Sequence, residues 1–219
     1  MPTTTIHFVR HGKVFNPDHL LYERLPGFHL SELGRRMAQA TARHIATDPH
    51  MNQAVAVYSS PLERTQETAQ EILRSLNATR ASRQLEPLEL VTDARIIEAG
   101  NDFRGKRIGY GKGALWHPHN LWLARNLWKP TWGESYAQIA RRVGQFAQEK
   151  VRQYPGEQII VVSHESPIWS YRHLLETGHA EHNMLLRHTA LASITSMSFD
   201  SDTGKLIGVA YTDPAAGVR

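Results

Sequence analysis

Cysteine is absent from all 219 residues. That excludes a disulfide framework and any zinc–thiolate site, and it suits a reducing compartment. Long apolar runs are also missing, so nothing in the chain reads as a membrane span. The start, Met1-Pro2-Thr3-Thr4-Thr5, lacks the basic-then-apolar pattern of a secretory signal. The cytoplasm is therefore the expected location, with no membrane partner. The formal net charge is +4, yet there is no dense Lys/Arg block. Pairs such as Arg35-Arg36 and Arg141-Arg142 are scattered over helical patterns and read as solvated faces, which argues against nucleic acid as a partner. A diffuse basic balance still suits an anionic small molecule. Histidine is plentiful, at 13 residues. His117-Pro118-His119 and the stretch from His179 to His182 lack carboxylates at metal-site spacing and read as incidental surface residues.

What is present is a rhythm. Strand-like runs alternate with helical patterns, the signature of an α/β fold. The expectation is a three-layer sandwich: a mostly parallel central sheet, helices on both faces and an inserted lid segment. The length suits a single domain over 1–219, with the lid at about 100–132. Strands are expected around Ile6 and Phe8, at Ala54 to Ser59, at Leu88 to Val91 and at Ile159 to Val162. A closing hairpin is expected from Ala190 to Phe199 and Leu206 to Tyr211. Ser31 can cap a helix with Leu33, Met37, Ala40 and His44 on one face. Ser60-Pro61-Leu62-Glu63 reads as a capping box, as do Ser135 and Gln138. Four of the five Trp fall in the segment that fits this rhythm least: Trp116, Trp122, Trp128 and Trp132. They read as core aromatics or as a lid walling a pocket.

Chemistry-bearing residues recur where strands end. Arg10-His11-Gly12 closes the first apolar run. Arg64 lies in the first helical turn after the second. Glu98 follows Arg95-Ile96-Ile97, and Ser163-His164 follows the central strand. Ligands of open α/β sheets bind along that edge. Two His, two Arg and one Glu suit attack on a phosphate monoester. A neutral His11 is the nucleophile. Arg10, Arg64 and a protonated His164 neutralise the non-bridging oxygens. Glu98 serves as acid and then as base. Singly, each residue has an ordinary alternative: Glu98 paired with Arg95 on the surface, Arg64 on a solvated helix face, His164 in the core.

These blocks resemble the histidine phosphatase superfamily, also called the phosphoglycerate-mutase-like family. The resemblance rests on Arg10-His11-Gly12, Leu30-Ser31-Glu32-Leu33-Gly34, Tyr58-Ser59-Ser60-Pro61-Leu62-Glu63-Arg64-Thr65, Gly133-Glu134-Ser135 and Val162-Ser163-His164. It implies that His11 is the phosphorylated nucleophile, that Arg10, Arg64 and His164 form the phosphate pocket, and that Glu98 is the proton donor. It implies no metal and no organic cofactor. Asn16 resembles a common pocket Asn, one residue early, and is taken as a further phosphate ligand. Lys13-Val14 departs from the acidic or amide residue and the hydroxyl residue often found there, and Glu165 stands where small residues are frequent.

The activity expected is a phosphomonoester hydrolase working through phosphohistidine on a small phosphorylated metabolite. A mutase using the same intermediate is the first alternative. The longer substrate-binding signature of such mutases is not evident around Arg107-Ile108-Gly109-Tyr110-Gly111. A non-catalytic phospho-ligand module is the second alternative. The partner is a small phosphate ester, and a homodimer is left open.

Overall fold

The computed structural model describes residues 1–107, 122 and 133–219. Its elements in chain order are β1 (Thr3–Arg10), α1 (Glu32–Thr47), β2 (Ala56–Ser59), α2 (Glu63–Ser82), β3 (Leu90–Thr92), α3 (Tyr136–Gln153), β4 (Gln158–Ser163), α4 (Glu165–Thr177), β5 (Ile194–Asp200) and β6 (Leu206–Thr212). The sheet order is β3-β2-β4-β1-β5-β6. The first four strands in that order are mutually parallel, and β5 and β6 add on antiparallel. A mostly parallel sheet was the expectation, and the closing hairpin falls where Asp202-Thr203-Gly204 puts its turn.

Strand side chains alternate, so a run that is apolar throughout needs cover on both faces. In β1 and β4, Ile6, Phe8, Ile159 and Val161 pack with Val143 and Phe146 of α3 and Ile168 and Tyr171 of α4. Val9, Ile160 and Val162 face the opposite layer, against Ala42 and Ile45 of α1 and Ala69, Ile72 and Leu76 of α2. The two faces make the three layers. At about 1.5–3 kcal/mol for each large aliphatic side chain buried, they are the main favourable contribution to the fold.

Three local expectations are corrected. The buried stripe of α1 is Gly34, Ala38, Thr41, Ala42 and Ile45, not Leu33, Met37, Ala40 and His44, which are only partly covered. The small residues are turned inward because the turn after His11 runs against this helix, backbone to backbone. A Cβ on Gly34 would lie 1.9 Å from the Lys13 carbonyl oxygen, and one on Gly12 would lie 2.4 Å from the Gly34 oxygen. Second, α2 starts at Glu63 with no side-chain cap. The Ser60 hydroxyl is engaged instead by His164 Nε2, at 2.8 Å. Third, β3 is short and displaced to Leu90–Thr92, and a 3-10 turn at Ala94–Ile96 intervenes before Glu98. By contrast, the Ser135–Gln138 capping box forms as expected. Most of the expected lid, with Trp116, Trp128 and Trp132, lies outside the described residues; Trp122 is exposed. Among the described residues, no helix is long and apolar enough to cross a membrane.

Candidate active site

Register brings the strand ends together. Arg10 pairs with Ser163 and Ser59 with Val162, so β1, β4 and β2 end side by side. The His11 N–H donates to the Ser163 carbonyl at 3.1 Å, and the His11 carbonyl accepts from Ala192 N–H at 3.2 Å. With its backbone clamped, His11 is almost fully buried, and its Nδ1 lies 2.8 Å from the Gly12 carbonyl. A carbonyl can only accept, so Nδ1 carries the hydrogen and Nε2 keeps its lone pair. The His164 ring stands edge-on to it at 5.1 Å. Burial, reinforced by the charges of Arg64 and Arg10, holds His11 well below the usual imidazole range. Burial and Arg64 do the same for His164. Burial and the neighbouring arginine charges thus favour the neutral imidazole at both positions.

The arginines are pre-set. Arg64 is fully buried, beneath Tyr22, whose ring centroid is 4.8 Å from its guanidinium carbon. One of its nitrogens donates to the Glu23 carbonyl, while Nε and Nη1 have no partner among the described residues. Buried guanidinium donors without acceptors are costly unless an anion joins them. Arg10 sends Nη1 to Glu165 Oε1 at 2.9 Å and to the Thr189 carbonyl at 2.5 Å, and its buried Nε is unpartnered. Glu165, the departure noted in the sequence, thus holds one corner of Arg10 and leaves the Nε side open. Asn16 is not brought to this cluster. Its amide exchanges two hydrogen bonds with the Leu20 backbone and closes its own loop. Those bonds engage both ends of the amide that was expected to reach phosphate.

Glu98 faces the histidines, with Oε2 3.9 Å from His164 Nδ1 and Oε1 accepting from Ala99 N–H at 2.8 Å. Burial raises its proton affinity. Its backbone carbonyl is held by Arg24 Nε at 2.6 Å and Arg142 Nη2 at 3.3 Å, and both arginines are bracketed by the Glu134 carboxylate. Arg142 is therefore no solvated charge: it fixes the Glu98 loop. The Glu134 block and the Glu98 block cross at an Asn101–Gly133 bridge. The eight-residue separation of Glu134, just before the Ser135 cap, from Arg142 in the helix is the sequence signal for this contact. Glu23 was missed outright. Burial, with the Glu98 charge second, pushes its carboxyl up to about 8.

Arg10, His11, Glu23 and Glu98 line one pocket of about 440 Å³, a size that suits a small organic ligand. Arg187 lines it as well, and no sequence pattern pointed there. His182 is buried and stacked on Tyr136 with ring centroids 4.0 Å apart, so it is not the surface residue expected. Among the described residues, no group of three or more His, Asp or Glu is arranged to hold a metal ion.

Residues 6–212 match the model of the histidine phosphatase superfamily, branch 1. The chain belongs to that superfamily. One relative, the uncharacterized protein Rv0525 of Mycobacterium tuberculosis, is 41% identical over 213 residues, 97% of this chain and 98% of that protein. The mycobacterial glucosyl-3-phosphoglycerate phosphatase Rv2419c superimposes with a TM-score of 0.73 at 22% identity, covering 96% of this chain and 99% of that one. A phosphoglycerate mutase from Bacillus anthracis does so at 0.71 and 18%, covering 99% and 96%. At these identities the structural likeness is one of fold, which serves a phosphatase and a mutase alike.

Proposed function

We propose that this chain is a phosphomonoesterase that works through phosphohistidine at His11 on small phosphate esters, as a cytoplasmic enzyme. One observation carries the reading: the Nε2 lone pair of a neutral imidazole stands among buried guanidinium N–H groups that have no acceptor. Nε2 attacks phosphorus as the P–O bond to the leaving group breaks. Arg10, Arg64 and His164 balance charge on the three non-bridging oxygens. The dianion raises the proton affinity of His164, which burial and the arginine charges lower. Protonated Glu98 gives its proton to the departing oxygen. The resulting carboxylate takes a proton from water, whose oxygen attacks phosphorus, and the P–N bond breaks to release orthophosphate.

Rapid quench with a slow aryl phosphate should trap acid-labile, base-stable phosphate on His11, and His11→Ala should abolish it together with turnover. Near-normal turnover by His11→Ala sinks the mechanism. Assay of phosphoglycerate exchange primed with 2,3-bisphosphoglycerate should give hydrolysis in excess of isomerisation; the reverse makes the protein a mutase.

A further inference from the structure

The pocket has a second cationic wall. Arg187 lines it together with apolar side chains that include Leu20, Phe103, Tyr136, Ile139 and Met184. Its guanidinium is built in. Nε donates to His182 Nε2 at 3.0 Å, Nη1 donates to Ser166 Oγ at 2.7 Å, and the carbon lies 5.2 Å from the Tyr136 ring centroid. The acceptor His182 is itself fixed: its Nδ1 donates to the Ala180 carbonyl at 2.9 Å, which leaves Nε2 with the lone pair that Arg187 needs. Burial lowers His182 to about 4, so it stays an acceptor at neutral pH.

Among the described residues, the three contacts of this guanidinium are neutral and none is a carboxylate. Most other arginines that form the site's walls and supports have one: Arg10 has Glu165, and Arg24 and Arg142 have Glu134. Arg64, the exception, belongs to the transferred phosphate in the reading above. Among the described residues Arg187 Nη2 has no hydrogen-bond partner, which leaves an edge that matches a carboxylate fork. Arg187 and Glu98 line the same pocket, so a ligand bound there lies within reach of both.

Resting on the phosphohistidine reading, we infer that Arg187, oriented by His182 and Ser166, recognises a carboxylate on the organic part of the substrate. The ester class is then a compact phosphomonoester carrying a carboxylic acid. Glu165 and Glu134 on the same walls disfavour a second dianion.

The probes are phenyl phosphate and its 2-, 3- and 4-carboxy derivatives, compared by kcat/KM. The wild type should prefer the best-placed carboxylate by about tenfold or more, as one charge-assisted contact predicts. Arg187→Met should erase that preference, read as the ratio of kcat/KM on the carboxylated ester to kcat/KM on phenyl phosphate. His182→Phe keeps a ring against Tyr136 and removes the acceptor; it should weaken the preference through KM, with melting temperature as the check on folding. Three results overturn the inference: no preference in the wild type, equal loss on every ester in Arg187→Met, or a preference untouched by either variant. Equal loss would place Arg187 on the transferred phosphoryl group. Failure of the wild type on phenyl phosphate and on every derivative would instead bring down the phosphatase reading, and the inference with it.

Discussion

At the scale of single residues, function and stability pull against each other. Arg64 is a fully buried cation with two unpartnered donor nitrogens. In the empty protein such a group destabilises; with phosphate bound it is satisfied. Arg64→Met should therefore lower turnover by ~10²–10³ on every ester, while the melting temperature holds or rises. A lower melting temperature with turnover retained would make Arg64 a structural residue. Glu98 gives a pH prediction. Its proton affinity is raised, so it is a competent acid below its own pKa and loses that role as pH rises. His11 is depressed, so it stays a nucleophile well below 6.5. The kcat/KM profile should fall on the alkaline side. Glu98→Gln should remove that limb and cost ~10²–10⁴ for an alkyl phosphate, far less for p-nitrophenyl phosphate, whose leaving group needs no proton. An unchanged alkaline limb would assign the acid elsewhere. Five site residues were legible in the sequence because each follows an apolar run or opens a helix. Arg187 and Glu23 sit in irregular segments, where no period says which way a side chain points.

At the scale of elements, the nucleophile is held by one close crossing. The turn after His11 meets the first turn of α1 through Gly12 and Gly34, and Ser31 N–H donates to the Lys13 carbonyl at 2.8 Å. Any Cβ on Gly34 must push helix and turn apart, and overpacking of that kind costs about 1–3 kcal/mol. Gly34→Ala should lower the melting temperature by several degrees and reduce kcat/KM at least about tenfold, since displacing a reacting group by a fraction of an ångström is expensive. Gly208, where a Cβ would meet nothing within 4 Å, is the control. If Gly34→Ala behaves like Gly208→Ala, the crossing does not position His11. This crossing also explains why the α1 face was misread from its larger residues. A helix usually turns its bulk inward, but here a neighbouring backbone occupies that space. The strands of β1 and β4 were read correctly because burial on both faces leaves an unbroken apolar run, whereas β3, mostly exposed at the sheet edge, carries a weak pattern.

At the scale of the whole molecule, the sheet edge concentrates opposing titrations. His11 and His164 are depressed, so their contribution to stability is present above 6.5 and is lost as pH falls below it. Glu98 and Glu23 are raised and act in the other direction: relative to the unfolded chain they favour folding at low pH, and that advantage is lost as pH climbs. Glu23 is the separable member of the set. Its carboxyl is protonated up to about 8 and lies beside Asn101, one oxygen being buried without a partner. Glutamine is close in shape to the protonated acid, so Glu23→Gln should retain turnover at pH 6–7. Its stability should separate from that of the wild type as pH rises from the ordinary carboxyl value of 4.5 towards 8 and hold a constant lead above that. Melting curves of both proteins from pH 5 to 9 decide it. A pH-independent gap would mean that Glu23 is already ionised in the fold, and that the burial and the neighbouring Glu98 charge do not govern its proton.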